Sequence, residues 1–141
     1  MRSEKNNLYF IIGCGSLGAK IALNLAEQGK EVAIIDKNKN ALNKLGEFYG
    51  GITIEGDATD IEFLKKCEIE KARAVVSVTD DDNTNIAISQ AVKEIFGINR
   101  VISRLYDNDK ECVYKEFNIA TVCPELLSAR EINKILTTED K

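Results

Sequence analysis

The stretch from Leu8 to Asp36, LYFIIGCGSLGAKIALNLAEQGKEVAIID, leaves a chain few ways to fold. Leu8 to Ile12 is a short apolar run of aromatic and β-branched residues, which predicts a buried strand. It runs directly into Gly13-Cys14-Gly15-Ser16-Leu17-Gly18, a G-x-G-x-x-G. A helical stretch follows from Ser16 to about Gln28, and Gly29 ends it. A second apolar strand, Val32 to Ile35, stops at Asp36. Glycine-rich loops are common. Strand, glycines, helix, strand and acid in this order are far more specific.

Each part has a physical role. Gly13 permits a tight turn, Gly15 leaves room for a pyrophosphate to approach, and Gly18 lets the helix pack close to the sheet. The helix start turns unpaired N–H groups and a positive dipole end toward the phosphates. Asp36 is placed to accept hydrogen bonds from a ribose diol and to repel a 2′-phosphate, which favours NAD(H) over NADP(H). The competing reading is a tight strand-to-helix turn that binds nothing.

The chain has 141 residues, enough for one domain with a substantial core. Its apolar fraction of 44% and charged fraction of 30% are those of a soluble globular protein. No apolar run is long enough to cross a membrane, and the polar start MRSEKNN precedes no signal-peptide core. A cytoplasmic location is the expectation. The net charge of −4 and the scattered lysines argue against a nucleic-acid surface. Cys14, Cys67, Cys112 and Cys123 lie far apart and there is no histidine, which argues against zinc. Packing is the plain reading of all four. Cys14, at a helix start, is expected to have a lowered thiol pKa.

Beyond Asp36, the spacing of Ala41, Leu42, Leu45 and Phe48 predicts a helix over Lys37 to Phe48, with Asn38 as its cap. A strand over Ile52 to Glu55 meets Gly56-Asp57-Ala58-Thr59-Asp60. There Gly56 serves an unusual angle or a close approach, and Thr59 or Asp60 caps a helix running to about Cys67. Ala74 to Val78 is the fourth strand. A polar turn, Thr79 to Asn85, leads into a helix ending near Phe96, with Ile88, Ala91, Val92, Ile95 and Phe96 on its buried face. Asp80, Asp81 and Asp82 read as acidic decoration of that helix start, in preference to a metal site. Val101 to Ser103 forms a fifth strand ending at Arg104, where a guanidinium serves either a phosphate or a salt bridge. Asp107 to Phe117 reads as a helix and Ile119 to Val122 as a last strand. Pro124 opens a terminal helix with Leu126, Leu127, Ile132, Ile135 and Leu136 on one side, before a frayed polar tail, TTEDK.

Strands alternating with helices predict an α/β fold, a Rossmann-like doubly wound parallel sheet of about six strands in the order 3-2-1-4-5-6. That order brings the turns Gly13 to Gly18, Asp36-Lys37, Asp57-Ala58 and Thr79-Asp80 to one sheet edge, where ligands bind.

With these residues in place, the chain resembles the N-terminal lobe of the RCK family, also called KTN or TrkA-N domains. Members regulate potassium channels and Trk/Ktr potassium-uptake systems. The resemblance covers Leu8 to about Leu136. It rests on the glycine motif with Asp36-Lys37, on GDATD at 56–60, on Val78-Thr79 with Asp82-x-x-Asn85, on Ile102-Ser103-Arg104 and on Pro124-Glu125. It implies that Gly13, Cys14, Gly15, Ser16, Leu17 and Gly18 hold the phosphates of NAD(H), or of ATP, ADP or AMP. It also implies that Asp36 holds the ribose with Lys37 beside it, and that Asp57 and Ala58 border the adenine. Thr79 and Asn85 would face the rest of the nucleotide, and Arg104 would reach a phosphate. It implies a homodimer or higher ring on the cytoplasmic face of a membrane potassium transporter or channel, acting as a conformational switch. The chain departs from the family in having Cys67-Glu68 for the usual alanine-glycine pair and Arg73 for the usual acid. These departures are expected to matter little for nucleotide binding. It also ends near residue 141, without the usual C-terminal lobe.

Two other functions compete. A small NAD-dependent oxidoreductase would use Tyr106-x-x-x-Lys110, the spacing of a lysine-activated tyrosine. The chain is short for that family, and the pair falls beside no evident substrate pocket. An assembly module with a degenerate pocket is the other.

Overall fold

A computed structural model describes residues 7–139. The elements are β1 (Leu8–Ile12), α1 (Ser16–Glu27), β2 (Glu31–Asp36), α2 (Lys39–Asn43), β3 (Ile52–Glu55), α3 (Ile61–Lys66), β4 (Ala74–Ser77), α4 (Asp82–Glu94), β5 (Val101–Arg104), α5 (Glu111–Glu116), β6 (Ala120–Val122) and α6 (Pro124–Glu139). The first six residues of the polar start, and Asp140 and Lys141 of the tail, lie outside the described residues. The rest of the tail expected to fray is helical, continuing α6 to Glu139.

The six strands form one sheet in the order β3-β2-β1-β4-β5-β6. Every neighbouring pair is parallel. This is the expected Rossmann-like order. Alternation along each strand explains the continuous apolar runs. On β1, Phe10 and Ile12 pack with Leu64, Ile88, Val92 and Tyr114 of α3, α4 and α5. Ile11 points the other way, with Val32 and Ile34, toward Ala22 of α1 and Leu42 of α2. Each such large buried side chain contributes about 1.5–3 kcal/mol of burial. In register, Ile12 stands opposite both Ile35 and Ser77. The carboxyl ends of β1, β2 and β4 are therefore flush, and the turns after them meet at one edge.

Local signals explain most helix ends. Gly29 follows α1 with φ +83°. Asp60 caps α3 by accepting from the Glu62 N–H at 3.0 Å. Gly56 serves a close approach, because a Cβ there would run into the Phe63 ring. Glu68, where the family often has glycine, has a left-handed φ of +59°.

Three expected helices come out differently. The one over Lys37 to Phe48 is only Lys39–Asn43. Asn38 caps it as expected, accepting from the Asn40 N–H at 2.9 Å. Gly46, at φ +81°, then turns the chain a full turn early. Phe48 is 99% exposed as a result, and Tyr49 is buried in its stead. The Tyr49 hydroxyl lies 3.1 and 3.0 Å from the carbonyl oxygens of Val32 and Ile52, tying β2 to β3. Burial pushes its pKa up to about 12. The Asp107 to Phe117 helix divides into a 3₁₀ turn, Asn108–Lys110, and the short α5. The fourth helix begins at Asp82 rather than after the polar turn, and it ends at Glu94, so Ile95 is 56% exposed instead of in the core.

The Asp82-x-x-Asn85 motif joins two strand ends. Asn85 is fully buried. Its Oδ1 accepts from the Ser77 hydroxyl (3.0 Å), the Thr79 N–H (3.0 Å) and the Thr79 hydroxyl (2.7 Å). Its Nδ2 donates to the carbonyls of Thr79 (3.2 Å) and Arg104 (3.3 Å). Asp82 accepts the Tyr106 and Asp107 N–H groups, both at 2.8 Å. Asn85→Ala is therefore expected to cost about 3 kcal/mol, because buried donors and acceptors lose their partner. Ser89, one turn on, has a buried hydroxyl with no partner among the described residues. Ser89→Ala should stay within about 1 kcal/mol of the parent. Urea unfolding midpoints of the two variants check the contrast. Equal midpoints would mean that Asn85 clamps nothing.

Candidate nucleotide-binding site

The glycine loop is tied down before any ligand arrives. The Gly13 N–H donates to the Ile35 carbonyl at 2.8 Å. Gly13 has φ +111°, and a Cβ on it would lie 2.8 Å from the Val78 carbonyl oxygen. A Cβ on Gly18 would collide with the Gly13 carbonyl oxygen. At Gly15 the situation is reversed, because a Cβ there would meet nothing within 4 Å. The structure thus gives the three glycines the separate jobs of turn, open approach and close packing.

Asp36, half-buried at the end of β2, faces this loop. Its Oδ2 accepts the Cys14 N–H and its Oδ1 the Asn38 N–H, both at 2.8 Å. The carboxylate is held in one orientation with lone pairs left over, which suits a ribose diol. Asp57 is exposed, and its Oδ1 accepts the Thr59 N–H (3.0 Å) and hydroxyl (2.7 Å). The side-chain bond from Thr59, and then the backbone one, hold its pKa below the usual carboxylate value.

A cleft of about 620 Å³ opens at this sheet edge. That is within the size range of nucleotide and cofactor pockets. Gly13, Cys14, Gly15, Asp36, Lys37, Asp57, Ala58, Thr79 and Arg104 all line it. Ile12, Ile35, Val78 and Ile88 add apolar wall. Ser16, Leu17 and Gly18 are not in the lining; they form the first turn of α1 beneath the loop. Asn85 is not in the lining either, and its polar atoms serve the strand ends described above. The Thr79 hydroxyl donates to Asn85 at 2.7 Å, so Thr79 borders the cleft with that bond already made. Asn38, Ala41, Lys44, Asp80 and Thr84 line the cleft too and were not among the predicted site residues. For Lys44, the signal was its position three residues past Ala41 on the helix that faces the loop.

Arg104 ends β5 and lines the cleft. Its guanidinium is centred 4.5 Å over the Tyr106 ring, with Nη1 3.5 Å from the Val78 carbonyl oxygen. Its Nε is buried without a partner among the described residues. A fixed cation with donors to spare fits an anionic ligand. With Tyr106 under Arg104 and Lys110 Nζ 3.3 Å from Asn83 Oδ1, neither residue of the Tyr106-Lys110 pair lines the cleft.

Two expectations change here. The Cys14 thiol is raised rather than lowered. Burial pushes it up, Asp36 adds to this, and Lys44 only partly offsets it. Cys14 Sγ donates to the Ala41 carbonyl at 3.3 Å, so the residue packs the loop onto α2. The aspartate triplet divides by task. Asp80 lines the cleft, Asp81 caps α4 by accepting the Thr84 N–H at 3.0 Å, and Asp82 holds the turn after β5. Among the described residues no three metal-ligating side chains converge.

A second cleft, of about 650 Å³, lies at the opposite end of the sheet between Arg100, Lys115 and Asn118. It has no glycine loop and lies far from the strand carboxyl ends, where α/β sheets bind ligands.

Known proteins are similar to this chain in sequence and in fold. Trk system potassium uptake protein TrkA of Streptomyces coelicolor is 37% identical over 112 residues, covering 79% of this chain and 50% of that protein. Potassium channel protein 1 of Methanocaldococcus jannaschii is 31% identical over 137 residues, covering 96% of this chain and 41% of that protein. The chain thus spans about half, or less, of these relatives' length. The NAD(P)-binding domain of an exopolyphosphatase-related protein from Archaeoglobus fulgidus superposes with a TM-score of 0.77 at 25% identity, covering 92% of this chain and 97% of that one. The Kef C-terminal domain of Shewanella denitrificans in its AMP-bound form shares the fold, with a TM-score of 0.79 at 20% identity, covering 96% and 83%. The description TrkA-N domain matches residues 9–124, and the chain belongs to that family.

Proposed function

We propose that this chain is a cytoplasmic nucleotide-sensing domain that regulates a membrane potassium transporter or channel and catalyses no reaction. The observation that carries this reading is the open position at Gly15, in the same cleft as an Asp36 carboxylate that two backbone N–H groups already orient. The nucleotide is NAD(H), with ATP, ADP or AMP as competitors for the same cleft. The glycine loop and the start of α1 hold its phosphates, Asp36 its ribose, and Asp57 and Ala58 border its adenine. Arg104 supplies a cation to the phosphates. The ligand acts by preferring one arrangement of the assembly, shifting its population. The TrkA-N family and the potassium-transport names of the relatives support the regulatory role.

The assembly is a homodimer or a larger ring. From Leu127 to Thr138 every residue of α6 is exposed. Ile132, Ile135 and Leu136, at helical spacing, are 56%, 51% and 57% exposed. A single apolar-striped helix gains little stability without a packing partner. A second copy of this chain, bringing an identical stripe, covers it in this reading. The double variant Ile132→Asp, Leu136→Asp should shift the protein to monomer in sedimentation, with the sheet intact by circular dichroism. An unchanged sedimentation coefficient would remove α6 from the interface.

Binding itself is tested by substitution at the loop. Gly15 has φ −83°, which any residue adopts, so Gly15→Val should fold normally and lose NADH binding. Asp36→Ala should weaken NADH at least tenfold, equivalent to about 1.4 kcal/mol. Fluorescence titration with NADH reads both. Undiminished affinity in Gly15→Val would mean that the nucleotide lies elsewhere.

A further inference from the structure

The charged lining of the cleft is balanced, with Asp36, Asp57 and Asp80 set against Lys37, Lys44 and Arg104. The whole chain carries −4, so its overall field opposes an anionic ligand. Each cation in the lining therefore matters. The glycine motif accounts for none of them, and the first turn of α1 contains no basic residue.

Lys44 is the cation nearest the loop in the chain's own logic. It is the residue at which α2 ends, with a helical backbone, φ −72° and ψ −13°. It comes three residues after Ala41, and residues at that spacing share a helix side. That side is fixed, because the Ala41 carbonyl accepts the Cys14 thiol at 3.3 Å and Ala41 and Lys44 both line the cleft. Lys44 thus lines, from the end of α2, the same cleft as the Gly13–Gly15 loop and Arg104. Its charge acts on Cys14, partly offsetting the rise in thiol pKa that burial and Asp36 produce. Among the described residues it has no salt bridge, whereas Lys65, Lys71, Lys115 and Lys134 each stand beside a glutamate.

We propose that Lys44 is a ligand-binding residue that supplies an ammonium group to a nucleotide phosphate at the ribose end of the cleft. This rests on the nucleotide reading above. The phosphate is either on the 5′ side, over the loop, or a 2′-phosphate beside Asp36. The 2′ case is admissible because Lys37 and Lys44 border the same cleft as Asp36 and can offset its charge.

The test is calorimetric titration of the parent protein, Lys44→Gln and Lys44→Arg with NADH and with NADPH, at low and at moderate salt. Lys44→Gln should weaken at least one ligand about fivefold or more and flatten its salt dependence. Lys44→Arg should restore both. Because Lys44 is exposed, the melting temperature of the unliganded protein should not move. Loss for both ligands identifies the 5′ phosphates, and loss for NADPH alone identifies a 2′ site. Affinities for both ligands that are indifferent to Lys44→Gln overturn the assignment and leave the cleft as a nucleotide site. A parent protein that binds neither of these, nor ATP, ADP or AMP, overturns the nucleotide reading, and this proposal with it.

Discussion

The contact between Gly18 and the carbonyl of Gly13 governs this molecule. Only a hydrogen atom fits where a Cβ at residue 18 would sit. Because of that, α1 begins within one turn of the end of β1 and packs flat against the sheet. β2 can then return beside β1 in a register that ends both strands level. The same closeness aims the first N–H groups of α1 out over the sheet edge. A methyl group at residue 18 would push helix and strand apart and disturb both the core and the cleft.

Asp36 extends that constraint from packing to recognition. Its two short bonds to the backbone at Cys14 and Asn38 join the glycine loop to the start of α2. Asn85 and Asp82 do the equivalent work on the far side, fastening the ends of β4 and β5. The cleft lies between these two polar fasteners, and its wall includes backbone at Cys14, Asn38 and Thr79 held by side-chain hydrogen bonds. A site built in this way is preorganised, so ligand binding has little loop ordering to offset.

Much of this was legible in the sequence because the signals were local. G-x-G-x-x-G after an apolar strand, an acid at the end of the next strand and side-chain caps at Asn38 and Asp60 act over a few residues. The misread parts depend on contacts the sequence does not display. The helix ends at Asn43 because the chain turns at Gly46 with a positive φ, and Tyr49 is buried in place of Phe48 because its hydroxyl reaches the Val32 carbonyl on β2 as well as the nearby Ile52 carbonyl. The Cys14 thiol looked activated by a helix start, but burial and the neighbouring Asp36 outweigh that field. The resemblance, through Asp82-x-x-Asn85, implies Asn85 as a ligand contact. Only the bonds to Ser77, Thr79 and Arg104 reveal that its hydrogen-bonding capacity is used within the protein. Lys44 lines the cleft from the end of a helix shorter than its apolar spacing predicts, an end that the spacing does not display.

The most direct test of the central claim is calorimetric titration of the purified chain with NADH, ATP, ADP and AMP in parallel. The account expects saturable binding of at least one of them with one site per chain, and competition between any two that bind. Absence of heat for all four, in a protein that is folded by its unfolding transition, would contradict it and leave an assembly module with a degenerate cleft.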